Sequence, residues 1–203
     1  MQSTQTPPAK LELADSPVLF AVDCDEPEGR VTRKVRELVF TPENLQTFWK
    51  KASKFSTIFG SEIKSAEEFL NLFLTYDSQN NPHLNGLFWV VDDFEGVFYI
   101  TNIQVELDAQ VHYSFFSGRH RGRLELVQKM LLHIFDTYNF RRLSASIPKY
   151  AKHSAHHFCK LVGFEQEGVK RKGAQYKGDW FGVVEYGLLR EELTMRMMEQ
   201  SNG

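Results

Sequence analysis

The chain has 203 residues, 42% hydrophobic and 25% charged, with a formal net charge of −2. That balance is ordinary for a globular domain able to bury its own core, and it argues against a protein built around a dense basic surface for nucleic acid. Two cysteines, Cys24 and Cys159, do not amount to a disulfide framework, and no apolar run approaches the roughly 20 residues that span a bilayer.

Residues 1–15 are polar, carry Pro7-Pro8 and read as a flexible arm. They lack the basic-then-apolar pattern of a secretory leader, so the expected compartment is cytoplasmic. One globular unit is expected over 16–192 and a C-terminal tail over 193–203; the stretch Arg190–Gly203 is charged and Met-rich and is compatible with a helix. Val18–Val22 is a possible strand. Thr41-Pro42-Glu43 is a helix start: a capping hydroxyl, proline at the first helical position and an acid in the first turn. Leu45, Phe48, Trp49, Ala52 and Phe55 follow at helical spacing. Ser65 with Glu68 is a capping-box pattern, and Phe69, Leu70, Phe73 and Leu74 give a second apolar face. With 17 phenylalanines in the chain, the core is expected to be aromatic-rich.

The period then changes. Leu87–Val91, Val97–Val105 and Gln110–Ser117 read as three consecutive antiparallel strands, with Asp92–Gly96 as the first turn. Gly118–Arg123 is a short basic loop. Leu124, Val127, Leu131, Ile134, Phe135 and Tyr138 predict a long amphipathic helix ending near Asn139. Leu143–Ile147 reads as a strand stopped by Pro148, and Ser154–Leu161 as a helix stopped at Gly163. Glu165–Val169 and Phe181–Leu189 read as two more strands around a basic hairpin region. The fold class is therefore α/β (α+β), a mixed sheet flanked by helices.

The basic loop carries the first functional signal. It leaves a strand and opens a long helix, whose first N–H groups lack internal partners and whose dipole favours anions. Gly122 permits close approach of a phosphate, while Arg119, Arg121 and Arg123 add charge. A pyrophosphate suits this site.

Arg119-x-x-Gly122 at a strand-to-helix junction resembles the acyl-CoA pyrophosphate loop of the GCN5-related N-acetyltransferases (GNAT). Ala155-x-x-Phe158-x-x-Leu161-x-Gly163-Phe164 resembles that family's second motif. Glu167-Gly168, Arg171, Gly178-Asp179-Trp180, Glu185–Leu189 and Arg190-Glu191-Glu192 follow in the order of the branch containing ribosomal-protein alanine N-acetyltransferases and related phage and bacterial enzymes. The likeness runs from about Leu87 to Glu192. Three positions depart from the pattern: Leu124 stands where the loop usually ends in Gly or Ala, Lys152 where asparagine is common, and Cys159 where a tyrosine often donates a proton.

The resemblance implies a mostly antiparallel sheet with a splayed strand pair, and transfer of an acetyl group from acetyl-CoA to a primary amine by direct attack in a ternary complex. The acceptor would be a protein N-terminal amine or a small-molecule amine. Cofactor contacts fall on Tyr113, Ser114, Phe115, Arg119, Arg121, Gly122, Arg123, Leu124 and Glu125, and no metal is implied. His112 is the first candidate for a base, since its ordinary pKa near 6.5 suits proton transfer at neutral pH and strand alternation groups it with Ser114 and Phe116. Glu106 and Asp108 are alternatives. Cys159 is the candidate acid, with Tyr150, Tyr176 or water as substitutes, and a small buried packing residue is an equally good reading of it. His153 and His157, four apart, lack a convincing third metal ligand. Lys170, Arg171, Lys172 and Lys177 suit a solvated hairpin, an acidic substrate or the cofactor 3′-phosphate. The rival reading is a non-catalytic acyl-CoA-binding or protein-interaction module. The sequence names neither acceptor nor oligomeric state; a homodimer is compatible with it.

Overall fold

The structure is a computed structural model, which describes residues 18–26, 29–38, 41–54, 63–71, 73–116 and 122–201. In chain order it comprises strands β1 (Val18–Glu26) and β2 (Gly29–Glu37), helices α1 (Pro42–Ala52) and α2 (Ala66–Asn71), and strands β3 (Leu74–Tyr76), β4 (Pro82–Leu84), β5 (Gly86–Val91), β6 (Gly96–Gln104) and β7 (Asp108–Phe115). Then come α3 (Arg123–Tyr138), β8 (Arg142–Pro148), α4 (His153–Val162), β9 (Glu165–Tyr176), β10 (Asp179–Leu189) and α5 (Arg190–Ser201). Eight strands form one sheet in the order β1-β2-β5-β6-β7-β8-β10-β9, and β3-β4 form a separate hairpin. The expected arm at 1–15, and Phe55, lie outside the described residues.

The helix starts follow their caps. The Asn44 N–H donates to Thr41 Oγ1 at 3.2 Å, and the Glu68 N–H donates to Ser65 Oγ at 3.0 Å. Helix α3 ends at Asn139, whose left-handed φ of 52° turns the chain while its N–H donates to Phe135 O. The second apolar face of the sequence reading divides: Phe69 and Leu70 lie on α2, Phe73 is buried beyond its end, and Leu74 opens β3.

Strand alternation splits the apolar residues between two cores. Trp89, Val91, Phe98, Ile100, Ala109 and Val111 face α3, α4 and α5. Phe88, Val90, Val97 and Tyr99 face α1 and α2, where Phe48, Phe69 and Phe73 join them. Both cores contain buried aromatics, and the second is the more densely aromatic: Phe48 and Phe69 rings stand 4.6 Å apart, and Phe88 stacks on Tyr99 at 5.6 Å. The segment 193–203 begins inside α5, and Leu193 is fully buried in the first core.

All strand pairs are antiparallel except β7 with β8. These two strands are joined through α3, so they must run the same way. Their pairing covers only Asp108↔Arg142, Ala109↔Leu143 and Gln110↔Ser144. At that vertex Arg142 lies 3.5 Å from Asp108 and 2.8 Å from Glu167. Beyond it, Val111–Phe115 and Ala145–Pro148 keep their outer partners, β6 and β10, but not each other. The sheet opens into a V.

Candidate active site

A cavity of about 560 Å³ fills the V. Its walls include His112, Tyr113, Ser114 and Phe115 from β7, Ala145–Pro148 from β8, and Tyr99 from β6. Arg123 at the start of α3 and Lys152, Ser154 and Ala155 at the start of α4 line one end. Two helix N-termini, each adding positive potential, therefore meet at one opening. Because Tyr99 and His112 lie on the α1/α2 face and Tyr113 and Phe158 pack on the other, the cavity passes through the sheet.

At the start of α3, Gly122 has φ 69°, a left-handed conformation suited to glycine. The first helical bond is Leu126 N–H to Gly122 O at 2.9 Å, so the N–H groups of Arg123, Leu124 and Glu125 precede the ladder. The Arg123 guanidinium lies 4.6 Å from the centre of the Phe115 ring. Leu124 packs against the first core, which accounts for a large residue at a position where the resembled loop is small. Glu125 is exposed and pairs with Lys129 at 2.8 Å. Arg119 and Arg121 lie outside the described residues.

His112 Nε2 sits 3.1 Å from Thr101 Oγ1, and its ring stacks on Tyr99 at 4.4 Å. Burial lowers its pKa from 6.5 to about 4, so the imidazole is neutral at physiological pH. Cys159 is fully buried and is not among the cavity-lining residues. Its thiol shares a hydrogen bond with the Tyr113 hydroxyl, and burial pushes its pKa up to about 12. The Tyr113 pKa is also raised well above its usual value, first by burial. Tyr186 OH and His156 Nδ1 are 2.9 Å apart.

The other candidates fall elsewhere. Glu106 is exposed in the β6–β7 turn, and Asp108 is held at the vertex by Arg142. Tyr150 stacks on Tyr176 at 4.5 Å, next to the wall residue Ala151. His153 is exposed, whereas His157 lines the cavity. Lys170, Arg171 and Lys172 are exposed on β9, which runs well past the strand expected at Glu165–Val169. The sequence reading did not single out Ser146. It lines the cavity and its hydroxyl donates to Glu185 Oε2 at 2.6 Å. Nothing local marks that pair, because it depends on the register of β8 against β10.

A sheet split after one parallel pair, with a helix opening at the end of the cleft, is the fold of the GCN5-related N-acetyltransferases. Among solved structures it is similar to the ribosomal-protein-S5-alanine acetyltransferase of Vibrio fischeri, at 16% identity and TM-score 0.59, over 79% of this chain and 94% of that one. It is also similar to the spermidine N-acetyltransferase of Vibrio cholerae crystallised with CoA and spermine, at 17% identity and TM-score 0.61, over 80% and 98% of the two chains. A GNAT-family acetyltransferase of Bacillus anthracis aligns at 14% identity and TM-score 0.56, over 79% and 96%. No family model and no curated protein matches the sequence. Among the described residues, no helix is long and apolar enough to cross a membrane.

Proposed function

We propose that this protein transfers an acetyl group from acetyl-CoA to a primary amine. The observation that carries the reading is the cavity between β7 and β8, which crosses the sheet and opens at the starts of α3 and α4. The pyrophosphate would rest on the N–H groups that follow Gly122, beside Arg123 and, by the sequence motif, Arg119 and Arg121. Pantetheine would pair with the backbone of Tyr113, Ser114 and Phe115, which has no β8 partner. The thioester then lies inside the sheet, where an amine from the α1/α2 face reaches it. Holding both reactants in line supplies much of the rate. A neutral His112, fixed through Nε2 by Thr101, offers Nδ1 to orient the amine. Cys159 would act only through Tyr113, with whose hydroxyl its thiol shares a hydrogen bond.

Calorimetric titration with CoA, followed by acetylation of a panel of free-N-terminal peptides and small amines, tests the reading. The expected result is saturable CoA binding and transfer to at least one amine class. Failure to bind CoA overturns it. One observation favours the rival, a non-catalytic acyl-CoA-binding module: neither His112 nor Cys159 has a pKa matched to proton transfer near neutrality. A protein that binds CoA but acetylates nothing in the panel meets that description.

A further inference from the structure

An acceptor amine arrives as a cation at neutral pH, since alkyl amines titrate near 10. Yet no carboxylate is present among the described residues that line the cavity. The negative charge stands one hydrogen bond behind the wall. Ser146 and Glu185 are register partners on β8 and β10, and the serine hydroxyl donates to Glu185 Oε2 at 2.6 Å. Val184 and Tyr186 belong to the core under α3 and α4, so alternation turns Glu185 to the other face. The same alternation puts Ser146 there, between the core residue Ala145 and the partly buried Ile147, and His112 and Ser114 opposite it across the V. Glu185 is half-buried and takes part in no ion pair among the described residues. An ammonium arriving at Ser146 gains a nearby carboxylate as its charge partner.

We infer that Ser146 and Glu185 form the receiving subsite for a cationic primary amine on the α1/α2 side of the cavity; the inference rests on the acyl-transfer reading above. Ser146 Oγ accepts an N–H of the ammonium because its own proton is already committed to Glu185. One ammonium proton passes to Ser146 as the serine proton passes to Glu185, which leaves a neutral amine. The nitrogen then attacks the thioester carbonyl; the C–N bond forms, the C–S bond breaks, and the surplus N–H proton ends on the CoA sulfur. Glu185 returns its proton to solvent after the product leaves.

The test needs no knowledge of the acceptor. S-(2-aminoethyl)-CoA and S-propyl-CoA have nearly the same shape beyond sulfur, but only the first carries an ammonium there. Calorimetry on the full chain should show the aminoethyl compound binding at least about fivefold tighter, the scale of one charge-assisted hydrogen bond after desolvation. Glu185→Gln, which keeps an acceptor for Ser146, should bring the two probes within about twofold while leaving CoA affinity and the melting temperature unchanged. Ser146→Ala should reduce the preference in the same direction. A wild-type protein that binds CoA but ranks the probes equally, or a folded Glu185→Gln variant that keeps the preference, overturns the subsite and leaves the acyl-CoA reading intact. A wild-type protein that binds no CoA removes both.

Discussion

The thiol of Cys159 lies beneath Tyr113, in a place where burial pushes its pKa up to about 12. A donor that weak does not match a thiolate leaving group of pKa near 8.5. Cys159→Ala is therefore expected to lower kcat by less than about tenfold, to leave CoA affinity nearly intact and to cost about 1–2 kcal/mol of stability. Steady-state kinetics beside a denaturant titration checks this, and a loss of 100-fold or more in kcat would restore the thiol as the acid. His112 carries a pH signature of its own. Its folded pKa of about 4 lies below the unfolded value of 6.5, so the unfolded chain binds the proton first as the pH falls. The stability supplied by the neutral ring is complete above the unfolded value and is lost on descent through the folded one. Across that window the loss is on the order of 3 kcal/mol, and His112→Gln should flatten the fall in melting temperature between pH 6.5 and 4. Equal slopes in the two proteins would show that His112 is not held neutral.

Helix α3 depends on one backbone conformation at its first turn. A β-branched side chain at Gly122, where φ is 69°, strains the turn by about 1–2 kcal/mol and places methyl groups over the N–H groups that follow. Gly122→Val should weaken CoA binding at least about tenfold, by calorimetry, in a protein that still melts cooperatively. Undiminished affinity would move the pyrophosphate elsewhere. This turn was legible in the sequence, as were the caps at Thr41 and Ser65, the three central strands and the long helix, because each is encoded within a few neighbouring residues. Strand β2 was not: Arg30, Arg33, Lys34 and Arg36 hide its pattern, and only the fold shows Arg33 3.0 Å from Asp92 in an ion pair. The β3–β4 hairpin was missed because Phe73 and Leu74 continue a helical spacing past the end of α2. Ser146 with Glu185 is a pair of the same kind, distant in sequence and joined only by register.

At the scale of the molecule, one sheet separates two cores, and α5 belongs to the first of them. Arg190 at the start of α5 holds Asp136 of α3 at 2.8 Å, and the Gln128 side chain reaches Gln200 at 3.0 Å. The side of the sheet that would carry the cofactor is thus braced by three helices, whereas the side that would receive the acceptor is covered by α1, the short α2 and an aromatic cluster. Acceptor range is therefore expected to follow changes in α1 and α2 rather than in α3. The V between β7 and β8 has a further consequence, written in the kinetics of the peptide groups. Central strands are normally the slowest to trade their amide hydrogens for deuterium, since opening them requires nearly global unfolding. Here alternate residues of Val111–Phe115 direct their N–H groups away from β6 and into the cleft. Those amides should exchange many times faster than their neighbours bonded to β6, although both sit in the middle of the molecule. CoA should slow the first set and leave the second unchanged, so a mass-spectrometric time course with and without CoA would trace the seam one residue at a time.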